Sequence, residues 1–399
     1  MDDDWVDTLY SAVRRGDMQE VYRLVGHQVY DDQSHTTNEE INTDDEDDKV
    51  RNDETMLVDI SNMPLRCGMT ALHVAVGREP VDGTFDFTSQ EELIEELLER
   101  GANVNGLDRQ NRTPLHLATR VHNIGAVRQL LRANADVSLE DSDGDTALHC
   151  AVQAFRHSAF LVRLLLEHGA PVNARNRECL APLQVAASIG LPETVDALLE
   201  AGADVHVLDR QDQTVLHRVC SAGFNATGEL LDYRVSIKGR NWTKEPQYEQ
   251  SCRETLCHGL VSTLLERGAN VTVADHHGNT VLHNMADCGY DKVIQTLLKY
   301  GAFVNVVNNE GASPLHMAAD RCSIKTVDLL LSNGADVDVR NGSKQTALQM
   351  VCVKDSDDTN SPADTEGKRH TIIYRLLHHH AEHFSHFSDV PRVIVGKVG

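Results

Sequence analysis

Aromatic side chains are scarce in this sequence, 5% of its 399 residues, so its core is built mainly from smaller apolar side chains. No run of 18 or more apolar residues occurs, and no segment therefore reads as a membrane-spanning helix. The opening Met1-Asp2-Asp3-Asp4-Trp5 has the wrong charge for a secretory signal. Basic residues are outnumbered 37 to 61 by acidic ones, giving a net charge of −24 and a pI near 5.2. That balance argues against nonspecific binding to nucleic acid or to an anionic membrane. Nine cysteines lack paired spacing, which argues against a disulfide framework and for a reducing compartment, cytoplasm and/or nucleus. Catalytic signatures are missing as well: there is no phosphate-binding Gly-x-x-x-x-Gly-Lys loop, no Gly-x-Ser-x-Gly elbow and no kinase set. The sequence implies neither an enzyme nor a cofactor.

What is present is one phrase that keeps returning. It reads Thr113-Pro114-Leu115-His116-Leu117-Ala118, with counterparts starting at Thr70, Thr146, Ala181, Thr214, Thr280, Ser313 and Thr346. Most steps between copies are 33 or 35 residues, with one of 43 and one of 66. After each phrase comes a leucine pair and then a Gly-Ala step, as in Leu198-Leu199-Glu200-Ala201-Gly202-Ala203-Asp204-Val205. Thr and Pro suit the start of a helix, where an N-cap oxygen and a missing N–H both fit. The later glycine suits a helix end, because it accepts the left-handed conformation that a Cβ disfavours. The leucines form a stripe that one unit cannot bury alone, so stability must come from stacking.

A 33-residue period carrying Thr-Pro-Leu-His-x-Ala resembles the ankyrin-repeat family over roughly residues 66 to 385. The resemblance implies an all-α solenoid of stacked helix pairs joined by β-hairpin turns. It also implies a protein-binding scaffold or adaptor without catalysis, working through its turn tips and the concave face of its first helices. Substrate receptor of a ubiquitin ligase and inhibitor of a transcription factor are the alternatives. The Leu-Pro-Leu-Pro-like phrase of the first and the Asp-Ser-Gly-type degron of the second are both absent. In the family the motif histidine bonds backbone groups of adjacent turns, and that role carries over to His73, His116, His149, His217, His283 and His316.

Along the chain, residues 1–30 read as an N-terminal capping helix pair. Residues 31–64 read as a disordered acidic linker, with twelve carboxylates against Lys49 and Arg51. The array follows over 65–386, about eight repeats, with insertions near 79–90, 225–257 and 354–368, and a short tail at 387–399. After the long insertion the second helix is expected to resume at Leu260, although a degenerate extra repeat around Glu229-Leu230-Leu231-Asp232 also fits the length.

Two clusters suggest metal chemistry, but neither has a strong spacing. His379, His383 and His386 fall at i, i+4 and i+7 if the last helix continues, while Cys252, Cys257 and His258 lie in the long insertion. Solvated histidines and ordinary junction cysteines are the simpler reading, and no metal site is expected. Asp143-Gly144-Asp145 falls in a repeat turn rather than in a calcium loop.

The partner-binding residues expected from charge are Arg109, Arg112, Arg120, Arg175, Arg177 and Arg210. These arginines fall at turn tips and inner helix positions of an acidic protein, and a planar guanidinium suits an acidic or phosphorylated segment of a protein partner. By the family pattern, the exposed inner positions are Arg120 and Val121, Gln153 and Ala154, Ser188 and Ile189, Ser221 and Ala222, Asp287 and Cys288, and Asp320 and Arg321. Asn105, Asn173 and Asn305 hold the Gly-Ala-x-Val-Asn setting that the resemblance associates with asparaginyl hydroxylation. Thr37 and Thr43, each three residues before a Glu, suit an acidophilic kinase.

Overall fold

The computed structural model describes Ala12 and residues 68–77, 87–154, 158–221, 246–357 and 363–384. The capping pair apart from Ala12, the acidic segment 31–64 and the tail 387–399 lie outside the described residues, as does the candidate extra repeat at Glu229–Asp232. The described part is all-α, as expected, with no strand. Two isolated antiparallel bridges, Glu140 to Thr146 and Ala274 to Thr280, are its only β pairing. The hairpins are therefore tight turns rather than ribbons.

Contacts divide the chain into two compact units, residues 1–186 with 196–203, and residues 187–195 with 204–399. The first contains the pairs α1 (Ala71–Val76) with α2 (Phe87–Glu99), α3 (Pro114–Arg120) with α4 (Ile124–Arg132), and α5 (Ala147–Gln153) with α6 (Ser158–Glu167). The division passes through α7 (Pro182–Ile189) and α8 (Pro192–Glu200). The second contains α9 (Val215–Ser221) with α10 (Pro246–Glu266), α11 (Val281–Cys288) with α12 (Asp291–Lys299), α13 (Pro314–Asp320) with α14 (Ile324–Ser332), and α15 (Ala347–Asp357) with α16 (Ala363–Phe384).

Each pair has the same local causes. Thr70, Thr113, Thr146, Thr280 and Ser313 are N-caps in extended conformation, each in a capping box with the histidine three residues on. The second helix ends on a residue with positive φ, as Gly101, Gly169, Gly202, Gly268, Gly301 and Gly334 show, and Asn134 does the same work after α4 in the second pair. There the following Ala N–H reaches back to the last turn: Ala102 to the Leu97 carbonyl at 2.9 Å, Ala170 to Leu165 at 3.0 Å. The motif leucines Leu72, Leu115, Leu148, Leu183, Leu216, Leu282 and Leu315 are completely or almost completely buried. Burial at that level stabilises by about 1.5–3 kcal/mol per side chain.

The helices reach further into the insertions than the pattern indicates. α10 already begins at Pro246, fourteen residues before Leu260. Gly259 and the polar run ahead of it hide this helix in the sequence, and tertiary contacts support it. Leu256 packs over Gly190, and the Cys257 thiol meets the Val219 carbonyl at 3.7 Å. Likewise α15 runs to Asp357 and α16 starts at Ala363, so both helices enter the span 354–368.

Candidate protein-binding surface

The motif histidines set the spacing between successive turns. In each box the imidazole Nδ1 accepts the N-cap main-chain N–H, at 3.1 Å in His73 and His116 and 3.2 Å in His149. The proton therefore sits on Nε2, which donates to a carbonyl just ahead of the next motif. His73 reaches Arg112 at 2.8 Å, His116 reaches Asp145 at 3.0 Å and His149 reaches Leu180 at 3.1 Å. In the second unit His217 reaches Asn279, His283 reaches Ala312 and His316 reaches Gln345. Burial, only partly offset by the accepting carbonyls, holds all six rings below their ordinary pKa. The histidines are structural struts, as the resemblance implies.

A second periodic group was missed in the sequence. Asp108, Asp141, Asn176, Asp209, Asp275, Asn308 and Asn341 each stand five residues before a motif start. Each Oδ1 accepts main-chain N–H groups two and four residues on, so a single side chain closes the whole turn. The signal was available as an Asp or Asn at fixed offset from every motif start after Thr70, where Leu65 stands instead.

These closed turns are bonded to one another. In the first unit the Ser142 N–H donates to the Gln110 carbonyl at 2.8 Å and the Arg177 N–H to Asp143 at 2.9 Å. In the second, His276 donates to Gln211 and Asn309 to His277, both at 3.0 Å. Turn tips within a unit are thereby held in register.

Five of the six arginines belong to the first unit and Arg210 to the second. Arg109, Arg120, Arg175, Arg177 and Arg210 are exposed. Arg112 is not: its side chain is 17% exposed and its guanidinium holds the Asp108 carboxylate at 2.7 Å. Burial pushes the Asp108 carboxyl up, but hydrogen bonds from Arg112 and from the turn outweigh it and leave it below the usual value. Arg112 therefore braces a turn. The Arg175 Nε donates to the Cys179 carbonyl at 3.2 Å. Among the described residues no ion pair holds Arg109, Arg120, Arg177 or Arg210.

The inner helix positions are less open than the family pattern implies. Arg120, Val121, Gln153 and Arg321 are exposed, but Ala154 is 4% exposed, buried at the end of α5. Asp287 and Asp320 are half-buried, and Asp287 is clamped by Arg321 through bonds of 2.6 and 2.8 Å. The side chain of Ser221 and all of Ala222 lie outside the described residues. One exposed group appears that charge and spacing did not single out. Phe303 is 66% exposed where Asn103, Asp136, Asp204, Asn270 and Asp336 each accept a main-chain N–H two residues on.

Asn173 and Asn305 are exposed and Asn105 is half-buried. The Asn105 Oδ1 accepts the Asp136 N–H at 2.9 Å, and the Asn305 Oδ1 accepts the Asp336 N–H at 2.8 Å. Thr37 and Thr43 lie outside the described residues. Among the described residues no three His, Cys, Asp or Glu side chains gather to hold a metal. His258 instead meets the Thr296 hydroxyl at 3.1 Å, and His380 meets Asp338 at 3.3 Å. The side chains of Cys252 and His383 are outside the description, as is His386. Burial pushes the Cys150 and Cys288 thiols up to about 12, which leaves them unreactive at neutral pH. No described helix is long and apolar enough to cross a membrane.

The family model described as ankyrin repeats in three copies matches residues 7–141, 86–176 and 250–341, and a single-repeat model matches 180–210. The chain belongs to the ankyrin-repeat family. Ankyrin repeats are protein-interaction modules, and their fold is not a catalytic one. Among curated relatives, the Neurogenic locus Notch protein of Drosophila melanogaster is 35% identical over 147 residues, 35% of this chain and 5% of that protein. Neurogenic locus notch homolog protein 1 of Homo sapiens is 32% identical over 126 residues, 31% of this chain and again 5% of the relative. The match thus spans a small fraction of those proteins' length. Among solved structures, the ankyrin repeat domain of Bcl-3, titled a unique member of the IkappaB protein family, gives a TM-score of 0.48 at 24% identity. It covers 67% of this chain and 98% of that one.

Proposed function

We propose that this ankyrin chain is a non-enzymatic scaffold of the cytoplasm or nucleus that binds a protein partner through an arginine-bearing row of turn tips. What supports this is the ladder that locks the tips in register while Arg109 and Arg177 stay exposed and outside any described ion pair. Arg120 adds an exposed charge on the inner helices of the same unit. A planar fork matches carboxylate or phosphate oxygens in pairs, so the partner segment is acidic or phosphorylated. Each exposed contact contributes about 0.2–1 kcal/mol, so affinity requires several together and falls as salt rises.

Reversing Arg109, Arg120 and Arg177 to Glu is expected to weaken binding to a captured partner at least ~tenfold, about 1.4 kcal/mol. The salt dependence should flatten and the circular dichroism stay unchanged. Arg210→Glu, in the other unit, serves as a separate arm. Unaltered affinity in the folded triple variant would reject the tip row as the binding surface.

Asn105, Asn173 and Asn305 are proposed sites of β-hydroxylation, with the exposed Asn173 and Asn305 modified before the half-buried Asn105. Mass spectrometry of protein from cells with active hydroxylase should show added oxygen on those peptides, and wholly unmodified peptides would refute the proposal. Thr37 and Thr43 remain proposed phosphorylation sites, where each phosphate adds about 1.5–2 negative charges.

A further inference from the structure

We infer that the face at the end of the second unit, formed by α15 and α16, pairs with the same face of a second copy of this chain. Positions that the next repeat covers elsewhere stand open here. The motif leucine is almost wholly buried in the seven earlier repeats, whereas Leu348 is only half-buried. Ile373 corresponds in the repeat to Val327 and Ile294, both fully buried, and it is half-buried. Leu377, 37% exposed, corresponds to Leu331 and Leu265, which are 7% and 4% exposed, and to Leu98, Leu166 and Leu298, which are half-buried. Tyr374, 64% exposed, corresponds to Asp328, whose carboxylate reaches Arg375 of the next pair at 3.5 Å.

Polar bonding points the same way. Six motif histidines donate onward to a carbonyl of the following repeat. In the last repeat Gln349 stands in that place and is exposed. Its Oε1 accepts the Thr346 N–H at 3.1 Å, but no carbonyl among the described residues receives its NH2. A repeat face with no neighbour stacked on it stays soluble when it is polar, and this face keeps Leu348 and Ile373 only half-buried and Tyr374 and Leu377 exposed.

A second copy fits better than a charged partner. α16 carries Lys368, Arg369 and Arg375 against Asp364, Glu366 and Glu382, so its formal charge balances within a chain of −24. Over residues 342–352 Lys344 is the sole charged residue. A face that is apolar and balanced in charge does not repel its own copy, and a two-fold pairing buries the same side chains from both sides. The apolar positions that a following repeat covers elsewhere are then covered by the same positions of the other molecule.

Sedimentation velocity of the full chain over a wide concentration range tests this. A monomer–dimer equilibrium is expected, weakened at least ~tenfold by Leu377→Glu or Tyr374→Glu with helicity unchanged. Because Tyr374 is mostly exposed in one chain, Tyr374→Glu decides alone if Leu377→Glu disturbs the fold. A monomer at every concentration would overturn the inference, as would a dimer that Tyr374→Glu leaves intact.

Discussion

Lowering the pH from about 7.5 to about 5.5 is expected to destabilise this protein steeply, with the loss beginning near pH 6.5, the ordinary histidine value. All six strut histidines are buried with pKa values held below that reference. The unfolded chain therefore takes up protons first as pH falls, and stability is complete above the unfolded value and declines below it. Each ring contributes at most about 1.4 kcal/mol per pH unit, and the six losses have the same sign and add. At still lower pH, protonation of a folded ring also places a hydrogen on the Nδ1 that accepts the N-cap N–H, and the capping box then fails. The depressed Asp108 carboxyl adds a loss of the same sign further down, in the carboxylate range. Urea melts at stepped pH measure the slope, and a profile flat between pH 7 and 5 would contradict the expectation. His149→Gln is the informative variant, because Gln184 already fills that place in the next repeat, its Oε1 accepting the Ala181 N–H at 3.0 Å. That variant should remain folded and lose about one proton's share of the pH dependence.

Asp209→Ala is expected to be the most damaging single substitution, costing about 3–5 kcal/mol. The Asp209 side chain is fully buried; its Oδ1 takes the Gln211 and Gln213 N–H groups and its Oδ2 takes the Arg218 Nε at 2.7 Å. Removing it takes the carboxylate away from two main-chain donors and from a mostly buried guanidinium. Asp209→Asn should cost less, because Asn176, Asn308 and Asn341 close equivalent turns with an amide oxygen. The exposed pair Arg163 with Glu200, also 2.7 Å apart, is the control: Arg163→Ala should cost no more than about 1 kcal/mol. Denaturant midpoints of the three variants give the ranking, and equal losses for Asp209→Ala and Arg163→Ala would refute it.

The open inner face expected from the family pattern needed correction for a physical reason. Counting seven and eight residues from the motif start identifies positions on a helix but not what covers them. Ala154 has a small side chain at the end of α5 and is buried, whereas Val121 at the same count in α3 is exposed. Asp287 appears as a free carboxylate in the sequence, and the arginine that occupies it lies 34 residues further on.

The sequence by itself determined the elements whose bonds close within a few residues. The N-cap with its histidine spans three positions, the turn anchor two and four, and the glycine end one helical turn, so each is written in consecutive letters and repeats with the period. That was sufficient for the all-α repeat architecture and for the structural role of the six histidines. Only the tertiary structure decided what depends on partners about 30 residues away. It decided that Arg321 is committed to the Asp287 carboxylate, and that α10 starts at Pro246. It also showed that Asn105 and Asn305 reach across to the next turn and that Leu348 and Leu377 lack the cover their counterparts have. Those outcomes follow from how one helix pair seats on the next, which no single period contains.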